Sequence, residues 1–408
     1  MNMISQWRPR LAPPRVQIFV SELSATGVVR NAIALANEAA ASGYQVRLLT
    51  CNPEGALRRE LQPNVTLVRL NDRDDAGRPR RLRMRNALRA YRRHCRSWQP
   101  DIMLSAGSHG HLLSTLAWVG LPGAKILRIS NDPSHSSPSL MTRLWRPVKF
   151  RLMAAIADRL VYVSRAQERH PLLARQATRG KALTIANGVD LEAVRAAAAM
   201  PCDHPWMNDG SVPVALAVGR HVRQKNFPAL LRAFALAREM RPLRLIFLGD
   251  GEPAEISRLR ALAAELGVAR DVDFVPATSN PFPYMAAART LVLPSRWEGS
   301  ANVLLEAMAC GTPVIASRTA GDAEQVLDSG RYGVLFDPRD ADQLAAALLR
   351  QTGPEAIMPG ERVQRFSRRV AIQRYLGLFN MLLERNRRGR ARQTLPGNFQ
   401  AAVPAERV

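Results

Sequence analysis

Compact apolar runs recur along the chain, separated by stretches whose apolar positions return at helical spacing. The first run, RVQIFV (15–20), reads as a strand. After Thr26-Gly27, apolar residues fall at Ala32, Leu35, Ala36, Ala39 and Ala40, and the pattern stops near Ser42-Gly43. YQVRLLT (44–50) is the next strand. Strand, turn, helix, strand is the repeating unit of a parallel α/β sheet. The rhythm continues through VTLVRL (65–70), DIMLSAG (101–107), KILRIS (125–130) and RLVYVS (159–164), and ALTIANGVD is a short strand running into an Asn-Gly turn. Met84, Leu88, Tyr91, Cys95 and Trp98 share one helical face.

Residues 195–213 break the pattern with Pro, Gly and Asp, and 201–213 reads as a linker. The strands then restart: VALAVGR (214–220), RLIFLGDG (244–251), VDFVP (272–276), TLVLPS (290–295), PVIAS and GVLFD. The expected fold is α/β, with two doubly wound Rossmann-like domains, 15–200 and 214–365, facing across a cleft. A flexible leader (1–14) would precede them, and a helix (366–385) and a disordered basic tail (386–408) would follow.

Composition narrows the class. The 408 residues suit two cores, and 47% apolar content is enough to fill them. No apolar run is long enough to span a membrane, since the best candidate, 111–123, is short and holds Ser114 and Thr115. The first residues lack the basic–apolar–cleavage order of a signal peptide. Cys51, Cys95, Cys202 and Cys310 show no paired spacing, which fits reduced thiols in the cytoplasm better than disulfides or zinc. The net charge of +24 predicts attraction to polyanions.

In open α/β sheets, ligands bind beyond the carboxyl ends of the strands. GRHVRQKNF places Gly219, Arg220 and Lys225 on one strand exit, where two cations can grip a diphosphate. The bland alternative is a solvated basic loop. GDGE supplies Gly249 and Gly251, a turn that lets backbone approach a ligand. In PSRWEGSANVLLEAMACG, the small residues Gly299, Ser300 and Ala301 open a helix whose free N–H groups favour an anion. Glu298 precedes that helix and Glu306 lies inside it. The spacing suits a nucleotide-sugar, with a carboxylate for each sugar and the helix N-terminus for the phosphates between. A capping Glu and a solvated Glu would be the ordinary alternative, but Glu306 sits between Leu304-Leu305 and Ala307-Met308, where an uncommitted charge is costly.

EGSANVLLEAMACGTPVIAS resembles the Glu-x7-Glu motif of the retaining glycosyltransferases of family 4, which have the GT-B fold. VGRHVRQKN…LLRAFA, LIFLGDGE, AGDAEQVLDSGRYGVLFDPRD, ADRLVYVSRAQ and TIANGVD resemble family segments in the expected order. The resemblance implies a C-terminal donor-binding domain, an N-terminal acceptor-binding domain and a last helix that crosses back. Arg220 and Lys225 would hold the donor diphosphate, Glu306 the ribose and Glu298 the transferred sugar. Arg220, Lys225 and Glu298 form the expected catalytic set. Gly219, Gly249, Gly251 and Gly299 would line the donor, and Ser300, Ala301 and Asn302 would offer backbone N–H groups. No cofactor and no metal are expected, and the donor nucleotide would be UDP by family frequency, or GDP.

The N-terminal half departs from the family. SATGVVRN keeps only Gly27 where many members have a Gly pair, and Ser130 stands where many have a histidine. His135 and His109 are the candidate replacements on the acceptor side. The pairs Asp72–Asp74 and Asp271–Asp273 read as turn or solvated residues. Residues 78–96 hold nine arginines and no acid, and 133–157 mix Arg143, Trp145, Arg146, Lys149 and Phe150. Basic plus apolar-aromatic residues suit an anionic membrane surface and hence a lipid-linked glycan acceptor.

The expected function is a glycosyltransferase of lipopolysaccharide, O-antigen or exopolysaccharide assembly, cytoplasmic and peripheral to the inner face of the plasma membrane. A nucleotide-sugar epimerase would share the fold without needing the basic apolar surface. A nucleic-acid-binding protein would explain the charge, but no recognition module is evident, so no nucleic acid is expected.

Overall fold

The computed structural model describes residues 12–24, 26–71, 80–130, 140–170 and 173–394. The elements run β1 (Arg15–Glu22), α1 (Gly27–Ala41), β2 (Gln45–Asn52), β3 (Val65–Arg69), α2 (Arg80–Trp98), β4 (Ile102–Ser105), α3 (His111–Trp118), β5 (Ala124–Ile129), α4 (Leu140–Ile156), β6 (Arg159–Tyr162), α5 (Ala174–Thr178) and β7 (Ala182–Thr184). Then follow α6 (Leu191–Ala198), α7 (Pro205–Asp209), β8 (Val214–Val218), α8 (Phe227–Met240), β9 (Arg244–Leu248), α9 (Pro253–Glu265) and β10 (Val272–Val275). The chain ends with α10 (Phe282–Ala287), β11 (Thr290–Leu293), α11 (Asn302–Ala309), β12 (Val314–Ser317), α12 (Ala323–Val326), β13 (Val334–Phe336), α13 (Ala341–Thr352) and α14 (Arg368–Thr394).

The strands form two parallel sheets, of order β3-β2-β1-β4-β5-β6-β7 and β10-β9-β8-β11-β12-β13. In each, the chain winds outward in one direction, returns to the middle and winds the other way. The switch points lie between β1 and β4 and between β8 and β11.

The second sheet shows why the strands read as continuous apolar runs. Val214 and Leu216 of β8 join one buried cluster, with Leu291, Leu293 and the α11 residues Leu304, Leu305 and Met308. Ala215 and Ala217 join the other, with Phe247, Val292, Ile315 and the α8 and α13 residues Leu230, Phe234 and Leu348. Alternate residues point to opposite faces, and helices cover both, so neither face is polar. In the first sheet, Ile18, Phe19, Leu48, Leu49 and Leu104 are buried. The Thr26 hydroxyl accepts the Val29 N–H at the head of α1, and Gly43, with φ of 89°, closes its end.

The chain divides into two compact units: Met1–Leu127 with Arg151–Arg159 and Gln373–Val408, and Arg128–Phe150 with Leu160–Ile372. The division departs from the expected 15–200 and 214–365. Side-chain hydrogen bonds tie Arg128 to Asn187 and Asn187 to Asn302, and Val189 bridges Ser367 within the same unit. The expected linker, 201–213, carries α7. Its N-cap His204 accepts the Trp206 N–H and faces Asp273 at 3.0 Å, and Gly210 ends it at φ of 67°. The last helix also runs past the expected limit of 385, because Arg, Ala and Gln after it are good helix formers. Residues 1–11, Asp72, Asp74, His135 and 395–408, all named above, lie outside the described residues.

Candidate functional site

The switch point between β8 and β11 puts two strand-exit loops side by side. The backbone joins them: the Arg296 N–H donates to the Gln224 carbonyl at 2.9 Å, and Gln224 Nε2 donates to the Trp297 carbonyl at 3.0 Å. Side chains complete the link. Lys225 Nζ and Ser295 Oγ donate to Glu298 Oε1 at 2.9 and 2.8 Å, and Gln224 Nε2 donates to Oε2 at 2.9 Å. The Lys225 and Glu298 side chains are 17% and 13% exposed, so solvent screens their pair only partly. Glu298 is thus held by three donors from two loops.

The glycines allow this approach. Gly219 has φ of 143°, and a Cβ there would lie 2.7 Å from Lys225 Cε. Gly249, at φ of 147°, would put a Cβ 2.3 Å from the Gly219 carbonyl oxygen. The loop after β9 can therefore meet the Gly219 backbone only with glycine at 249. Gly251 packs on His221, whose ring lies among Phe227, Phe247 and Phe274. His221 is buried, and neither ring nitrogen has a hydrogen-bond partner among the described residues. Burial lowers its pKa. Next to it, Arg220 is exposed, with no ion pair among the described residues.

Glu298 precedes α11 and the half-buried Glu306 lies within it, four residues before Cys310. Burial, together with the Glu306 charge, pushes the Cys310 thiol up to about 12. The head of α11 is held from the side. The buried Asp322 accepts the Ala301 N–H at 2.7 Å and the Ser300 hydroxyl at 3.2 Å. Asn302 Oδ1 accepts from Asn187 Nδ2 at 3.0 Å, and the buried Arg128 donates to Asn187. Ala301 N–H, expected to face a phosphate, is therefore committed to Asp322 in this state. The amides of Ser300 and Asn302 take no bond among the described residues. Gly299 lies on the same loop, and Gly321, at φ of 60°, packs against Glu298.

Gln224, Ser295, Asp322, Asn187 and Arg128 were not singled out from sequence. Gln224 adjoins Lys225, a weak signal. Ser295 stands three residues before Glu298, and Asp322, Asn187 and Arg128 stand far along the chain from the residues they hold.

On the acceptor side, Gly27 opens α1, and His109 is exposed in the loop after β4, beside the loop that follows β1. Ser130 is buried just beyond β5. Asp271 pairs with Arg238 and Asp273 with His204, so both carboxylates are engaged in local structure.

The basic stretches need two corrections. In α2, Tyr91, Cys95 and Trp98 are buried, while Arg85, Arg89, Arg93 and Arg96 are exposed. Its apolar stripe is core and its outer face is cationic. In α4, Phe150 is buried with Met153 and Ala154, so it is no surface residue. Trp145 (62% exposed), Val148 and Leu152 form the outward stripe, beside exposed Lys149 and half-buried Arg146. The Arg143 side chain lies outside the described set. No described helix is long and apolar enough to cross a membrane.

The chain is similar to known proteins. Residues 25–193 match the family model of Glycosyltransferase Family 4, and residues 212–352 that of Glycosyl transferases group 1. The lipopolysaccharide core biosynthesis glycosyltransferase LpsE of Rhizobium meliloti (strain 1021) is 33% identical over 178 residues, 41% of this chain and 49% of that protein. The chain spans less than half of the curated relatives it matches, 34% and 22% of two others. Among solved structures, a glycosyltransferase from Rickettsia africae has a TM-score of 0.71 at 17% identity, covering 91% of this chain and 99% of that one. Anabaena HepE in complex with UDP and glucose has a TM-score of 0.69 at 17% identity, covering 90% and 99%. The chain thus has two parallel α/β sheets and the GT-B fold, and each half matches a glycosyltransferase family model.

Proposed function

We propose that the protein is a retaining glycosyltransferase that moves a sugar from a nucleoside-diphosphate donor to a glycan acceptor of the lipid-linked kind used in cell-surface polysaccharide assembly. The observation that carries this reading is the joining of Lys225 to Glu298 at the β8–β11 switch point, with Arg220 exposed on the same loop and α11 opening beside it. The donor diphosphate would meet Arg220, Lys225 and the amides at the head of α11. Glu298 would meet the transferred sugar and Glu306 the ribose. No metal or cofactor is needed in this reading.

In the reaction, the acceptor oxygen bonds to the anomeric carbon as the bond to the β-phosphate oxygen breaks. The electron pair leaves with the diphosphate, and the acceptor proton passes to that phosphate oxygen on the same face. Arg220 and Lys225 stabilise the charge that develops there, and Lys225 needs little reorganisation because Glu298 already holds it. LpsE, a lipopolysaccharide core enzyme by name, supports the polysaccharide setting. The arginine face of α2 and the Trp145 stripe of α4 support an anionic membrane as the place where a lipid-linked acceptor is met.

Thermal unfolding with UDP, GDP and ADP tests the donor site. A ligand at a hundred times its dissociation constant adds about 2.7 kcal/mol to stability. A shift with one nucleotide, lost in Glu306→Ala and in Arg220→Ala/Lys225→Ala, would locate the site and name the base. No shift with any of the three in folded protein would sink the reading.

A further inference from the structure

Asp322 occupies the N-cap position of α12, yet its side chain does not cap that helix. The carboxylate instead turns to α11. It takes the Ala301 N–H on Oδ1 and the Ser300 hydroxyl on Oδ2, and it is 2% exposed. Burying a carboxylate away from its own helix is costly unless its bonds serve something. Ala301 is the N-cap of α11, and no side chain of its own caps that helix. The nearby amides of Ser300 and Asn302 take no bond among the described residues.

We propose that Asp322 is a positioning residue for donor recognition: it fixes the Ser300–Ala301 peptide so that the free amides at the head of α11 face the anionic group of the donor. The inference rests on the donor site described above. The ionised carboxylate accepts on both oxygens, whereas the protonated group keeps Oδ1 for Ala301 and turns Oδ2 into a donor. The single Ser300 proton then turns to Asn302 Oδ1, 3.3 Å away. Burial is the main cause that raises the Asp322 pKa, to about 6, with Glu298 adding to it, so this loss falls in an accessible range. The charged group facing Asp322 is Glu298, which is paired with Lys225. On its own turn, Glu324 pairs with Arg318 in solvent.

The test measures binding of UDP and GDP by calorimetry from pH 5.5 to 8 with the full-length chain, its Asp322→Asn variant and its Ser300→Ala variant. The ligand's own titration is common to all three. In the wild type, affinity should fall roughly tenfold more between pH 7.5 and 5.5 than in Asp322→Asn, which should bind weakly and almost flatly across the range while unfolding at a similar temperature. Ser300→Ala, which keeps the carboxylate and Ala301 but removes the hydroxyl whose bond changes on protonation, should lose less affinity and flatten the slope. Wild-type affinity and slope in folded Asp322→Asn overturn the proposal and leave the donor reading standing. Failure of the wild type to bind either nucleotide overturns both. If Asp322→Asn does not fold, an unchanged affinity and slope in Ser300→Ala overturn the proposal.

Discussion

Lys225 and Glu298 are separated by more than seventy positions in the chain yet form a pair that solvent reaches only in part. Removing one partner strands the other's charge. A double-mutant cycle with Lys225→Ala and Glu298→Ala, read by urea unfolding, should show a coupling of about 1–3 kcal/mol. A coupling near zero would mean that the pair holds neither loop. His221 makes a different prediction. Its folded pKa is lowered by burial among three phenylalanine rings, so below pH 6.5 the unfolded chain takes up a proton that the folded chain refuses. This contribution to stability is complete above pH 6.5 and is lost as pH falls toward the folded pKa. His221→Phe should flatten the slope of unfolding free energy between pH 7 and 5. An unchanged slope would place the titration elsewhere. The residue types at strand exits were legible from position alone: Arg220, Lys225 and Glu298 follow apolar runs. Asp322 was not, because an Asp before a helix reads as that helix's own cap, and only its rotation toward Ala301 distinguishes it.

Among the elements, the strand-exit turns carry the tightest constraints. Gly249→Ala would place a methyl group 2.3 Å from the Gly219 carbonyl oxygen, against backbone that cannot move aside without shifting Arg220 and Lys225. Gly210→Ala, at φ of 67° with nothing within 4 Å, meets only the left-handed penalty of about 1–2 kcal/mol. Chemical denaturation should therefore rank Gly249→Ala as clearly the costlier change. Equal losses would mean that the loop after β9 can move without consequence. The strands and most helices were legible because a sheet covered on both faces demands apolar runs of a particular length. The phase of a helix was less so. Phe150 stands among Lys149 and Arg151 and reads as amphipathic, yet the α4 turn that carries Met153 and Ala154 inward carries Phe150 with them.

At the scale of the whole molecule, the excess of positive charge should act through the arginine face of α2. Co-sedimentation with vesicles containing anionic lipid should succeed at low salt and fade at about 0.5 M, where screening is stronger. Replacing Arg85, Arg89, Arg93 and Arg96 by Gln should weaken it with little change in unfolding temperature, because these side chains are exposed. Equal binding by that variant would move the surface elsewhere, with Trp145 and Lys149 the next to change. The sequence by itself determined the α/β alternation, the two sheets, the strand exits where ligands meet an open sheet, and the relation of Glu298 and Glu306 to one helix. Those features follow from local periodicity and from residues close together in the chain. Only the tertiary structure decided which side chains hold the site in place: Gln224 and Ser295 on Glu298, Asp322 on Ala301, and Arg128 through Asn187 on Asn302. Hydrogen bonds depend on atoms brought within about 3 Å in a set direction, and a parallel sheet brings together loops that the chain keeps far apart.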